Sequence, residues 1–267
     1  MYRIEGMRET LHPHPSLPPS RGKGHLGRIG RMDKLGCLYG VGVGPGDPEL
    51  MTLKAVRVLK ASPIVFTPQA AGSKDSLALT VARNYIDETK QQLIYAEFVM
   101  GGTTDDVWSE AAERIADYLL NGEDVAFLTQ GDPLLYGSFM YVMVKVQAAH
   151  PQMPIEVVPG VTSITASASR AKTPLVSHAE RLAVLPAMYG IDDLRDVLAR
   201  NDTVVLMKVN RKAMAAVSQL EADGELSRCV FARRATTPRE RIEFSLREVA
   251  PEETDYFSML ILRGKKG

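Results

Sequence analysis

Cysteine is nearly absent from this chain: Cys37 and Cys229 are the only two among 267 residues. They lie far apart and form no metal-ligand spacing, which fits a reducing cytoplasm and structural roles for both thiols. An excess of either charge is missing as well. Lys plus Arg and Asp plus Glu each number 32, and this balance argues against a nucleic-acid binder, which normally carries a basic excess. No apolar run approaches membrane-spanning length, and one of the longest, Tyr256 to Leu262, reads as a buried strand. The phosphate-loop pattern of Gly, four residues, then Gly-Lys-Ser/Thr occurs nowhere.

The remaining composition is ordinary. Apolar residues make up 45% and charged residues 24%, as in a globular protein, and the length suits one large or two moderate domains. Residues 1–34 stand apart. They hold Leu11-His12-Pro13-His14-Pro15-Ser16-Leu17-Pro18-Pro19-Ser20, and seven basic residues against three acids. Such a Pro-, Ser-, Gly- and Arg-rich stretch cannot build a core, so a disordered extension is expected, without the apolar middle of a secretory signal. His12 and His14 are read as part of that solvated tail, and no metal site is expected. Met32, just before the first strand, is a candidate natural start.

The most informative segment is Gly40-Val41-Gly42-Val43-Gly44-Pro45-Gly46-Asp47-Pro48, after the apolar Cys37-Leu38-Tyr39. Glycine at every second position lets another molecule, or another backbone, approach closely. Asp47 as cap and Pro48 at the first helical position predict a helix with Leu50, Leu53 and Val56 as its apolar stripe. The dinucleotide fingerprint requires glycines at i, i+2 and i+5, but Pro45 and Asp47 occupy the last position in the two possible frames. The next strand, Pro63 to Thr67, also ends without the ribose-binding acid. A nicotinamide-linked oxidoreductase is therefore disfavoured.

The pattern of strand, glycine loop and helix recurs. Val125-Ala126-Phe127-Leu128 leads into Thr129-Gln130-Gly131-Asp132-Pro133-Leu134-Leu135-Tyr136-Gly137, then a helix with Phe139, Val142, Met143 and Val146 on one face. Ile155 to Val158 leads into Pro159-Gly160-Val161-Thr162-Ser163 and a run of small residues. Trp108, Ala111, Ala112, Ile115 and Leu119 mark an amphipathic helix between these two loops. Further on, Thr203 to Lys208 reads as a strand, Ala213, Ala216, Val217 and Leu220 as a helical stripe, and Cys229 to Ala232, Arg241 to Phe244 and Phe257 to Leu262 as strands in series. This pattern predicts an α/β protein with domains over 35–152 and 153–267, divided near His150-Pro151-Gln152-Met153-Pro154.

Four blocks in order resemble the tetrapyrrole (corrin/porphyrin) methylase family, the class III S-adenosylmethionine-dependent methyltransferases. They are Tyr39 to Asp47 with Leu53, Gly131 to Tyr136, Val158 to Ser163, and Ala235-Thr236-Thr237-Pro238-Arg239-Glu240-Arg241. Further blocks, including Phe127 to Phe139, Leu182 to Ala187, Val205 to Val209 and Tyr256 to Met259, narrow the resemblance to the branch that methylates a meso carbon of a reduced tetrapyrrole. Gln130 and the pair Arg233-Arg234 depart from the pattern. Methylation of another corrin carbon or of uroporphyrinogen III is the nearest alternative, and a non-catalytic adenosylmethionine sensor a more distant one.

The resemblance implies two α/β domains with S-adenosylmethionine in the cleft between them, leaving as S-adenosylhomocysteine. It places Pro45, Gly131, Asp132, Pro133, Tyr136, Thr162 and Ser163 of the first domain, and Met207, Ala235, Thr236 and Ser258 of the second, at that cofactor. A donor without phosphates fits loops without lysine or arginine. Asp132 is read as facing the sulfonium or capping a turn, with the turn favoured. The carboxylates of a tetrapyrrole call for cations at the cleft edge, and Arg170, Lys172, Lys208, Arg211 and Arg233 lie near the motifs. No residue is assigned as a catalytic base. A homodimer, with neither nucleic acid nor membrane as partner, is expected.

Overall fold

A computed structural model describes residues 34–70, 76–98, 105–186 and 190–265. The expected disordered extension, the candidate start at Met32 and the end of the Leu182–Ala187 block lie outside the described residues. Five parallel strands form the first sheet: β1 (Leu38–Gly42), β2 (Ile64–Ala70), β3 (Gln92–Phe98), β4 (Val125–Thr129) and β5 (Ile155–Val158), in the order β3-β2-β4-β1-β5. Side chains alternate between its faces. Leu38, Phe66 and Phe127 pack beneath α3 (Asp105–Leu120) and α4 (Phe139–Ala149), through Ile115, Leu119, Val142 and Val146. Val41, Val65 and Leu128 pack on the opposite face beneath α1 (Leu53–Ala61) and α2 (Leu77–Ala82).

The helix after the glycine run differs from its sequence reading. Asp47 accepts the Glu49 N–H at 2.9 Å and caps only a single 3-10 turn, Pro48–Leu50. Met51 and Thr52 are extended, and Thr52 then caps α1 by accepting the Ala55 N–H at 3.1 Å. This interruption resets the helical phase. Leu53 is therefore 91% exposed, while Ala55 and Leu59 carry the buried stripe.

The second half contributes α5 (Ser163–Arg170), β6 (Leu182–Pro186), α6 (Ile191–Arg200), β7 (Thr203–Met207), α7 (Arg211–Ala222), β8 (Leu226–Arg233), β9 (Arg241–Glu243) and β10 (Ser258–Gly264). Its sheet is mixed, in the order β6-β7-β10-β8-β9, with only β6 and β7 parallel. Val204, Leu206, Phe231, Leu260 and Leu262 face α6 and α7. Val205, Val230, Met259 and Ile261 face Ile164, Ala168 and Ala171 at α5. The first sheet continues beyond the boundary expected at about 152, because Ile155–Val158 pairs with β1. The chain crosses between sheets only after Val158, and α5 is the element that crosses.

Candidate functional site

The strand order places the site. After β1 the chain packs α1 on one face of the first sheet, and after β4 it packs α4 on the other. Their connections diverge at the carboxyl ends of two adjacent strands, which opens a crevice of the kind that binds ligands in open α/β sheets. The first loop (Val43–Asp47) and the second (Gln130–Ser138) leave from these strands, and the third (Pro159–Thr162) leaves from β5 beside them.

The three loops pack backbone on backbone. Gly44 and Gly131 form a bridge, with the Gly131 N–H donating to the Gly44 carbonyl at 2.8 Å. A Cβ on Gly42 would lie 2.6 Å from the Gly160 nitrogen, and one on Gly160 only 2.0 Å from the Gly131 carbonyl oxygen. Of the two readings of the glycine run, close approach by another backbone accounts for Gly42, and it accounts for Gly160 of the third loop as well. Gly40 answers a side chain instead, since its Cβ would stand 2.3 Å from the Phe139 ring. Gly131 differs from these: its φ is +71°, and a Cβ there would meet nothing nearer than the Ser163 nitrogen and Val161 oxygen at 4.0 Å.

Side chains tie the loops together. Asp132 accepts the Leu134 N–H at 2.9 Å through Oδ1 and the Gly160 N–H at 3.1 Å through Oδ2. It therefore serves a turn and joins the second loop to the third. Gln130, one of the departures from the family pattern, donates from Nε2 to the Pro45 carbonyl at 3.1 Å. Thr162 caps α5 by accepting the Thr165 N–H at 3.3 Å, with Ser163 as the first helical residue. Pro45 and Pro133 are buried within the loops. Thr129, at the end of β4, was not read as a site residue. It is buried, and its Oγ1 has no hydrogen-bond partner among the described residues.

One end of the second sheet faces these loops. Met207 lies opposite Met259, and Ser258 opposite Arg233. The Asp47 N–H donates to the Thr236 Oγ1 at 3.1 Å, and a Cβ on Gly46 would lie 2.4 Å from the Thr237 methyl. The Tyr136 hydroxyl donates to the Val184 carbonyl at 3.4 Å. The Lys208 ammonium stands 5.8 Å from the Tyr136 ring centroid and 4.8 Å from that of Tyr256. Tyr136, Lys208 and Thr236 have φ of 54°, 57° and 68°, values a non-glycine residue seldom adopts and a β-branched one least of all. Such conformations gather at functional sites, and these three were all expected at the site. Ala235 is buried beside Thr236. The Ser258 hydroxyl accepts the Asp255 N–H at 2.9 Å and closes the turn into β10.

The expected substrate cations divide into two groups. Arg170, at the end of α5, makes a two-pronged pair with Glu240: its Nε lies 2.8 Å from both carboxylate oxygens, and its Nη2 2.7 Å from Oε1. This pairing holds the Glu240 carboxyl below its ordinary range and raises the Arg170 guanidinium. Glu240 also accepts the Thr236 N–H at 2.6 Å. It lies in the fourth motif, yet sequence reasoning gave it no role, because its partner is 70 residues away. Arg233 donates to the Glu253 carbonyl at 2.7 Å. Strand alternation puts it with Cys229 and Phe231, on the face of β8 away from α5. Arg170 and Arg233 thus already have partners within the chain. Lys172, after α5, and Arg211, which opens α7, are exposed. Lys208, of the five, places its ammonium against the ring of a predicted cofactor residue, Tyr136.

A cavity of about 420 Å³ between Tyr39, Lys54, Arg57, Asp124 and Glu156 lies at the amino-terminal ends of the strands, away from the loops. It holds the Lys54–Glu156 ion pair, and burial pushes the Tyr39 hydroxyl up to about 12. No group of three or more His, Cys, Asp or Glu is placed to hold a metal ion among the described residues. None of the described helices is long and apolar enough to cross a membrane.

The chain is similar in sequence and in fold to known proteins. A precorrin-2 C(20)-methyltransferase of Sinorhizobium is 34% identical across 87% of this chain and 97% of its own length. A cobalt-precorrin-2 C(20)-methyltransferase of Salmonella typhimurium is 32% identical across 85% and 96%. The chain spans about half the length (47%) of a cobalamin biosynthesis protein of Mycobacterium tuberculosis, to which it is 33% identical. Among solved structures, a uroporphyrin-III C-methyltransferase of Thermus thermophilus complexed with S-adenosylhomocysteine superposes with a TM-score of 0.61. It is 28% identical, over 85% of this chain and 97% of that one. A cobalt precorrin-4 methyltransferase shares the fold, with a TM-score of 0.65, at 22% identity over 89% and 98%. The family model of the tetrapyrrole (corrin/porphyrin) methylases matches residues 37–250. With that match over most of the chain, and the four motif blocks gathered at one cleft, the chain belongs to the tetrapyrrole methylase family.

Proposed function

We propose that this chain transfers a methyl group from S-adenosylmethionine to the C-20 meso carbon of precorrin-2 or of its cobalt-loaded counterpart, as a step of cobalamin biosynthesis. Relatives bearing that name match across nearly their whole length. The observation that carries the reading is the composition of the crevice wall. Its three loops contain no lysine or arginine, whereas Lys208 stands at the facing end of the second sheet. A ligand without phosphates suits the former, and the carboxylates of a tetrapyrrole suit the latter.

The residues present fit the proposed cofactor. At Gly131 a Cβ would meet no atom closer than the Ser163 nitrogen and the Val161 carbonyl oxygen, both at 4.0 Å, and the unpartnered Thr129 hydroxyl lies at the base of the second loop. Backbone groups and small hydroxyls of this kind hold an adenosyl group without fixed charge. Pro45, Gly131, Asp132, Pro133, Tyr136, Thr162 and Ser163 would form one wall, and Met207, Ala235, Thr236 and Ser258 the other. Bound adenosylmethionine supplies an already activated methyl group. The chain's own work is therefore to orient the two reactants and exclude water. Lys172, Lys208 and Arg211 remain as anchors for substrate carboxylates. The reading includes a homodimer, supported by the family resemblance, acting in the cytoplasm, which the two free cysteines fit.

The test is incubation with methyl-labelled adenosylmethionine and either precorrin-2 or cobalt-factor II, followed by location of the new methyl group. Label at C-20 is the expected result. Label at another carbon, or only with uroporphyrinogen III, would move the chain to another branch of the family.

A further inference from the structure

The ties around the cleft form a closed circuit. The first loop is bridged to the second through Gly44 and Gly131, and the second to the third through Asp132 and Gly160. The third loop opens α5, a rod of eight residues, about 12 Å long. At its far end Arg170 grips Glu240, Glu240 accepts the Thr236 N–H, and the Thr236 hydroxyl accepts the Asp47 N–H of the first loop. The other links are backbone bonds, the Asp47 N–H bond to the Thr236 hydroxyl, and backbone N–H bonds to the Asp132 and Glu240 carboxylates. The Arg170–Glu240 link alone is an ion pair between side chains.

Thr236 sits where this link acts, in a left-handed conformation that a β-branched residue avoids. A strained residue persists only when its surroundings over-determine it. Its N–H is held by Glu240 and its hydroxyl by the Asp47 N–H, so two partners fix it. Thr237 Oγ1 closes the same turn on the Arg234 carbonyl at 2.8 Å.

We propose that Arg170 and Glu240 are positioning residues, which hold the Thr236 turn against the first loop and so set the second wall of the cofactor cleft. The inference rests on the adenosylmethionine reading above. Glu240 orients Thr236 directly, and Arg170 acts through Glu240. Arg170 is thereby withdrawn from the substrate anchors and serves the cofactor instead.

The test measures S-adenosylhomocysteine affinity by calorimetry, and KM for tetrapyrrole and for adenosylmethionine, on the full chain. Glu240→Ala is expected to weaken S-adenosylhomocysteine binding about tenfold, and Arg170→Ala about threefold. Glu240→Gln keeps an acceptor for the Thr236 N–H and is expected to restore most of the loss. Combining Arg170→Ala with Glu240→Ala is expected to cost no more than Glu240→Ala alone, because the arginine acts through the glutamate. The KM for tetrapyrrole stays within twofold of wild type throughout.

Equal weakening of both ligands, additive losses, or unchanged S-adenosylhomocysteine affinity in Glu240→Ala would overturn the proposal. If Glu240→Ala fails to fold, Glu240→Gln and Arg170→Ala decide: selective loss in Arg170→Ala with near-wild-type Glu240→Gln supports it, and no loss in Arg170→Ala overturns it. Failure of the wild-type protein to bind S-adenosylhomocysteine would instead strike the underlying functional reading.

Discussion

Replacing Gly160 by alanine probes the packing of the three loops where it is tightest. The added Cβ would stand 2.0 Å from the Gly131 carbonyl oxygen and 2.9 Å from Gly42 Cα, whereas ordinary contact begins at 3.4 Å. The second and third loops must therefore part by about 1.4 Å. The obstacle is backbone, which cannot swing aside as the end of a side chain can. Overpacking a core costs about 1–3 kcal/mol, and the upper end, about 3 kcal/mol, is expected here. In a folded unit of this size each kcal/mol moves the melting midpoint by roughly 2–4 °C, so a fall of about 6–12 °C follows. The same opening pulls the Gly160 N–H from Asp132, now at 3.1 Å, so affinity for S-adenosylhomocysteine should fall as well. Thermal unfolding followed by circular dichroism, with calorimetric titration, reads both effects. Gly264→Ala is the control, since a Cβ there comes no closer than 3.6 Å to Leu198, and its effect should stay within about 0.5 kcal/mol. A Gly160→Ala protein that melts and binds like wild type would show that the loops are not the tight stack described.

Phe139, fully buried against Gly40, should cost about 3–5 kcal/mol when cut to alanine; urea denaturation checks this, and a loss under about 1 kcal/mol would mean that the site collapses around the gap. Lys208→Ala combined with Lys172→Ala should raise KM for tetrapyrrole about tenfold, roughly 1.4 kcal/mol, and leave S-adenosylhomocysteine affinity within twofold; parallel loss of both ligands would refute the assignment of these lysines to the substrate. Arg263 and the Ser177 N–H hold the Glu180 carboxyl below its ordinary 4.5. A depressed carboxylate stabilises the fold above its unfolded value and loses that contribution as pH falls through its folded value. The melting difference between wild type and Glu180→Gln should accordingly be present at pH 7 and shrink below about pH 4.5, and a difference that grows toward acid would reverse the assigned sign.

Legibility in the sequence followed the range of the interactions. The loops after β1, β4 and β5 were readable because glycine, Asp-Pro and apolar strands are local signals. The buried faces of α3 and α4 followed from helical periodicity. Leu53 was misplaced because an Asp-Pro start looks continuous with the helix behind it, and only the extended Met51–Thr52 pair shows the restart. Ile155–Val158 was assigned to the wrong half because a strand does not announce which sheet it joins; its pairing with β1 spans more than a hundred residues of sequence. Separation in sequence, 70 residues to Glu240 and 20 to Glu253, also hid the partners of Arg170 and Arg233. A basic residue near a motif reads as available until the acid or carbonyl that occupies it is brought beside it by the fold.

The position of β10 at the middle of the second sheet carries a consequence for biosynthesis. The first sheet is complete once Val158 has been made, and it can pack its helices while translation continues. The second cannot close until Ser258–Gly264 is available, about a hundred residues later, because β7 and β8 meet only through that strand. During the interval two strand edges rich in valine, leucine and phenylalanine stand unpaired on the nascent chain. Translational pausing or premature termination in that window would leave a finished amino-terminal half tethered to an aggregation-prone remnant.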